Sequence, residues 1–83
     1  MSLLDIRNEI DEIDAQLAKL IERRLTVARA AGREKKAQRR PARDLEREHA
    51  VIVRYVGIAG IEAVPVARAI IDACVKTQEL DDG

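Results

Sequence analysis

Apolar residues recur at alternating spacings of four and three early in the chain: Ile6, Ile10, Ile13, Leu17 and Leu20, with Val27 and Ala31 resuming the rhythm. That is the period of an amphipathic helix with a narrow, coiled-coil-like seam. Between Leu3 and Ala37 there is no Pro and one Gly, Gly32, and good helix formers dominate, so propensity supports a single long helix. Ser2 or Asp5 is placed to cap it, and Asp5, Glu9, Asp11 and Glu12 put acids in its opening turns. Pro41 forbids continuation and biases Arg40 away from helical angles. Asp44 then reads as the N-cap of a second helix, from Leu45 to about Val56, with Gly57 and Gly60 marking its end or a weak kink. Pro65 suits the first turn of a third helix reaching about Leu80, and the tail Asp81-Asp82-Gly83 is expected to fray. The expected fold class is all-α, with three helices.

Length gives this pattern a consequence. A first helix of about 35 residues spans roughly 50 Å at 1.5 Å per residue. A compact chain of 83 residues has a diameter near ~30 Å. The seam therefore outruns what its own chain can cover, and the shorter helices reach about half of it. A second copy, its long helix antiparallel, is the simplest cover for the rest, so an intertwined helical homodimer is expected.

Composition narrows the function. Fifteen Lys and Arg balance fifteen Asp and Glu, for zero formal net charge, which removes the long-range argument for a nucleic-acid or membrane-surface binder. Cys74 is the single cysteine and His49 the single histidine, so neither a disulfide framework nor a Cys or His metal cluster is expected. No apolar run approaches the ~18–20 residues that cross a bilayer, and the polar start does not read as a signal peptide; a cytoplasmic protein is expected.

The informative residues interrupt apolar stripes. Arg24 takes the seam position after Leu20, and Lys35 follows it eleven residues on, about ~16 Å along the same side of the helix. Arg7 lies seventeen residues before Arg24, roughly 25 Å away, so it reaches a shared site only from the opposite subunit of an antiparallel dimer. On the second helix Leu45, Glu48, Ile52 and Tyr55 set Glu48 among apolar neighbours, one turn after Asp44. On the third, Ala67, Ile71, Cys74 and Gln78 carry an inward stripe to a polar end. Buried unpaired charge costs several kcal/mol, so polar intruders on three helices point to a polar pocket in a helical bundle. Each also has a plainer reading. Arg24 can snorkel or pair with Glu22 or Glu48, Lys35 belongs to a charge run typical of a solvated face, Asp44 is explained as a cap, Gln78 sits near a fraying end, and Cys74 reads as a small core residue. As a pocket, Arg24, Lys35 and Arg47, with Arg7 across a dimer, suit a small dianion, while Glu48 and Asp44 accept from a hydroxyl. No nucleophile with its base is present. Catalysis would rest on holding a reactive conformer and stabilising developing charge, which fits a unimolecular rearrangement.

These residues carry a resemblance. The opening Ile6-Arg7-Asn8-Glu9-Ile10-Asp11-Glu12-Ile13-Asp14, then Leu20-Ile21-Glu22-Arg23-Arg24, Gly32-Arg33-Glu34-Lys35, Arg40-Pro41-Ala42-Arg43-Asp44-Leu45-Glu46-Arg47-Glu48 and Thr77-Gln78 together resemble the all-helical chorismate mutase family. The resemblance implies one domain over residues 1–83, an intertwined homodimer with two equivalent sites, and the Claisen rearrangement of chorismate to prephenate in aromatic amino acid biosynthesis, without metal or organic cofactor. It implies that Arg7 reaches a substrate carboxylate across the dimer and Arg24 grips carboxylate from the same subunit. Lys35 and Gln78 would donate to the ether oxygen of the breaking bond. Asp44 and Glu48 would lie near the ring hydroxyl, with Arg47 as a further basic residue. Cys74 stands where many members carry Ser to position a carboxylate, and the span from Glu48 to Gln78 is several residues shorter than in familiar members.

Other readings share these features. Isochorismate pyruvate lyase and 4-amino-4-deoxychorismate mutase act on similar ethers with the same fold. A larger partner enzyme is compatible with the chain. In a different class, a non-catalytic helical dimerisation module would use the Arg39-Arg40 loop against an acidic partner.

Overall fold

A computed structural model describes residues 1–80, and the tail expected to fray lies outside the described residues. Three helices follow one another: α1 (Leu3–Ala37), α2 (Leu45–Ala59) and α3 (Ala63–Leu80). Ser2 is the α1 cap: its Oγ accepts from Asp5 N at 3.1 Å while Asp5 Oδ2 accepts from Ser2 N at 3.2 Å, a reciprocal capping box. Asp44 caps α2, its Oδ1 accepting from Arg47 N at 3.1 Å.

The end of α1 is built without glycine. Arg40 N donates to Lys35 O at 2.8 Å and Arg39 N to Lys36 O at 3.0 Å, the paired bonds of a Schellman motif. Arg39 takes the left-handed position, with φ 56°, that glycine usually fills. α2 runs through Gly57 to Ala59, past the expected end, because one helical glycine costs only about 1 kcal/mol. The helix stops at Gly60, whose φ of 91° turns the chain into α3. α3 begins two residues before Pro65, which still falls in the first turn, where the missing N–H has no helical acceptor.

α3 packs against both α1 and α2, which do not pack directly on each other. Val51, Ile71 and Val75 form the core, with Ile52 and Tyr55 against it. The expected α2 stripe is rotated slightly. Glu48 and Val51 are buried, whereas Leu45 is 72% exposed because it sits at the helix start with nothing packed over it. Where α1 meets α3 the buried residues are small: Ala28 and Gly32 on one helix, Ala63, Ala67 and Cys74 on the other.

The molecule measures 54 × 26 × 14 Å, and its radius of gyration of 15.6 Å exceeds the ~12 Å of a compact chain this long. α1 is the long dimension. Residues 1–20 are all exposed, and the seam residues Ile6, Ile10, Ile13, Leu17 and Leu20 are each 41–56% accessible. Among the described residues no helix is long and apolar enough to cross a membrane.

Candidate active site

Because α1 and α2 both lean on α3 and not on each other, a gap of about 330 Å³ opens between them, floored by Ile71, Cys74, Val75 and Gln78 of α3. Such a volume suits a small molecule. α1 contributes Arg24 and Lys35, three turns apart on one side as their spacing requires. α2 contributes Arg47, Glu48 and its cap, Asp44. The structure thus brings together Arg24, Lys35, Asp44, Arg47, Glu48, Cys74 and Gln78. Arg7 is not with them: it is exposed on the projecting half of α1, roughly 25 Å from Arg24 along the helix.

Lys35 is fixed at the mouth of the connector. Its Nζ donates to Ala42 O at 2.8 Å and to Gln78 Oε1 at 3.2 Å, leaving one of its three N–H groups for a ligand. Gln78 is 7% exposed, so it is an inward residue and not part of a solvated helix end. With Oε1 turned to Lys35, its amide hydrogens remain to donate, and two donors converge on one region. Arg24 Nη1 donates to Cys74 Sγ at 2.8 Å, so Cys74 is buried yet also a partner of a site cation. Among the described residues Arg24, Lys35 and Arg47 have no carboxylate within ion-pair distance, and the pairing of Arg24 with Glu22 or Glu48 does not occur.

Glu48 is the opposite case. It is 5% exposed, and both carboxylate oxygens are taken. Arg43 Nε donates to Oε2 at 2.9 Å and Arg68 Nη1 to Oε1 at 2.8 Å. The Arg43 hydrogen bond holds the Glu48 carboxyl below the usual carboxylate range; burial works against it, and Arg68 adds to the lowering. The cavity therefore presents three cations without carboxylate partners, two anions, of which Glu48 is neutralised from behind and Asp44 caps α2, and two donors side by side. Among the described residues no three His, Cys, Asp or Glu side chains gather as a metal-ligand set.

The family model for chorismate mutase type II matches residues 6–79. The chain belongs to the chorismate mutase type II family. No curated protein and no solved structure matches it.

The matched span of this chorismate mutase type II domain runs from just before Arg7 to just after Gln78, and so includes every candidate residue named from the sequence. The sequence reading missed the guanidiniums behind Glu48. Arg43 stands in the segment from Arg40 to Glu48 that carries part of the resemblance, and Arg68 and Asp72 have the i,i+4 spacing of a helical ion pair. Neither signal reveals that Arg68 crosses to α2. The shorter span between Glu48 and Gln78 leaves Gln78 facing Lys35, because α3 retains five turns and the turn at Gly60 is tight.

Proposed function

We propose that this chain catalyses the rearrangement of chorismate to prephenate. The observation that carries the reading is the pairing of Lys35 Nζ with Gln78 in a cavity whose other cations, Arg24 and Arg47, lack carboxylate partners. In this reaction the ether C–O bond breaks as a C–C bond forms within one molecule, so no nucleophile or proton transfer is required. Negative charge grows on the ether oxygen. The free N–H of Lys35 and the Gln78 amide are the donors that meet it, and they act most where water is excluded. Arg24 grips one carboxylate, with Arg47 adding positive field, and holds the substrate in its reactive fold. Asp44 and Glu48 accept from the ring hydroxyl. Cys74 supplies only a weak donor, its sulfur already accepting from Arg24.

The site is completed by a second copy. Leu17, Leu20, Ile21, Tyr55, Val66 and Ile70 line an apolar groove of about 470 Å³ that shares Arg24 with the cavity. An antiparallel α1 seated there covers the exposed seam and carries Arg7 of the partner subunit toward Arg24. Light scattering at micromolar concentration is expected to give twice the chain mass. A monomeric mass would remove Arg7 from the site.

The purified protein is expected to convert chorismate to prephenate, followed by loss of chorismate absorbance and by product chromatography. Inactivity on chorismate across pH and concentration would overturn the reading. Release of pyruvate from isochorismate, or turnover of the 4-amino analogue alone, would reassign the substrate on the same fold. A purely structural dimerisation module fits less well, because half-burying Arg24 and Lys35 without carboxylate partners costs desolvation that bonds to a thiol, a carbonyl and an amide offset only in part.

A further inference from the structure

We infer that Arg68, acting with Arg43 and Asp72, is a positioning clamp that fixes the Glu48 carboxylate as an oriented acceptor on the cavity wall. The inference rests on the proposed reading only in naming what Glu48 accepts from: a hydroxyl of the bound dianion.

The clamp is a closed ring of four charges. Arg43 Nε and Arg68 Nη1 each hold one Glu48 oxygen, and both guanidiniums meet again at Asp72 Oδ1, at 2.5 Å from Arg43 Nη2 and 3.8 Å from Arg68 Nη1. Two positive and two negative charges sum to zero, so the ring adds no net charge beside the cavity. It ties three parts of the chain together: the connector through Arg43, α2 through Glu48, and α3 through Arg68 and Asp72. Glu48 cannot rotate without breaking a charge-assisted bond to each side.

Geometry separates support from ligand. Glu48 is buried and lines the cavity, whereas the side chains of Arg43 and Arg68 are 44% and 45% exposed and do not line it. The guanidiniums approach from the solvent side. A carboxylate has about four lone-pair sites, so after two bonds each oxygen keeps one, and these remain for the cavity. A bare carboxylate on that wall would repel a dianion. Backed by two guanidiniums, it can accept a hydroxyl hydrogen with that repulsion offset.

Every charged group facing Glu48 matters to its titration. Arg43 lies on the connector, Arg68 and Asp72 on α3, Asp44 and Arg47 at the start of its own helix, and Arg24 and Lys35 across the cavity on α1. The folded-state carboxyl is held low, so the stability it contributes is complete above the ordinary carboxylate range and is lost as pH falls through the folded value. Removing Arg68 takes away one of the groups holding it low, and the protonation midpoint of Glu48 rises.

The test follows two readouts in wild type, Arg68→Gln and Arg68→Lys. The first is the 13C titration of the Glu48 side-chain carboxyl by NMR, which needs no substrate. Arg68→Gln is expected to raise its midpoint by about one pH unit, and Arg68→Lys to restore most of the difference. The second is kcat and KM for chorismate against pH. Arg68→Gln is expected to raise KM about 10-fold with a smaller change in kcat, and to move the acid limb of kcat/KM to higher pH, at roughly one hydrogen bond to a charged group. An unmoved Glu48 midpoint in folded Arg68→Gln protein overturns the clamp, whatever the substrate. A moved midpoint in a protein inactive on chorismate supports the clamp and overturns the proposed reaction instead. If Arg68→Gln does not fold, Arg43→Gln removes the guanidinium on the other Glu48 oxygen. It should raise the midpoint in the same direction, and no rise there overturns the clamp as well.

Discussion

Lys35→Ala is expected to lower kcat for chorismate by about 10²–10³-fold, the usual cost of deleting one preorganised donor to a developing oxyanion. The Ala42 carbonyl and the Gln78 amide oxygen already take two of the lysine's hydrogens, at 2.8 and 3.2 Å. These contacts aim the third hydrogen without reorganisation during reaction. They also set where the charge sits, because Lys35 lies in the last turn of α1 and its carbonyl is locked by Arg40 N at 2.8 Å. The ground-state ether oxygen is a weak acceptor and the breaking bond makes it a strong one, so the loss should fall on kcat, with KM changed by a few-fold. Stability should fall by no more than about 2 kcal/mol, since two part-buried bonds of about 1 kcal/mol each are lost and the cost of half-burying the ammonium is lost with them. Steady-state kinetics beside a thermal melt decide the matter. A kcat within ten-fold of wild type, in protein that melts normally, would mean that Lys35 faces something other than the reacting oxygen.

How much of this was legible in the chain depends on the range of the interaction. Caps are local, and Ser2 and Asp44 could be placed because each needs only its neighbours three residues on. The length of α1 and its uncovered seam followed from period and arithmetic. So did the inward stripe of Ala67, Ile71, Cys74 and Gln78, all of which are buried. Residues whose role depends on what another helix brings could not be read. Gly57 and Gly60 both offered an end or a kink for α2, and the end falls at Gly60, where the chain must reverse. Lys35 sat in a charge run that favours solvent; the resemblance, not the pattern, set it in the pocket, and the approach of α3 gives it the Gln78 amide. Arg68 reads as an ordinary surface cation until α2 presents Glu48 to it. The projecting half of α1, with Arg7, is a related case. Its seam and arginine were visible in sequence, and their place in the site waits on the second copy proposed above.

Gly32 reads in the chain only as the one glycine of a long helix, and its packing gives it a large effect. A glycine in the middle of a long helix costs about 1 kcal/mol against alanine, so on propensity Gly32→Ala should stabilise α1. Packing opposes this. A Cβ at Gly32 would lie 2.9 Å from Gln78 Cγ, 3.0 Å from Gln78 Cβ and 3.4 Å from Gln78 Cα. Those atoms are near the backbone of α3 and cannot swing aside as a side-chain tip would, so the helix itself must retreat. Overpacking of this kind costs roughly 1–3 kcal/mol, partly offset by the gain in propensity, and the melting temperature should fall only modestly. Activity should suffer far more. The retreat carries the Gln78 amide away from Lys35 and from the reacting oxygen, and misplacement near 1 Å is enough for about 10²-fold in kcat. A double-variant cycle separates displacement from general damage. In a Gln78→Ala background the Cγ and amide are already gone, so adding Gly32→Ala should cost little further kcat, and the two effects should be strongly non-additive. If Gly32→Ala lowers kcat by the same factor in both backgrounds, the glycine is serving α1 or its packing in general, and its link to Gln78 fails.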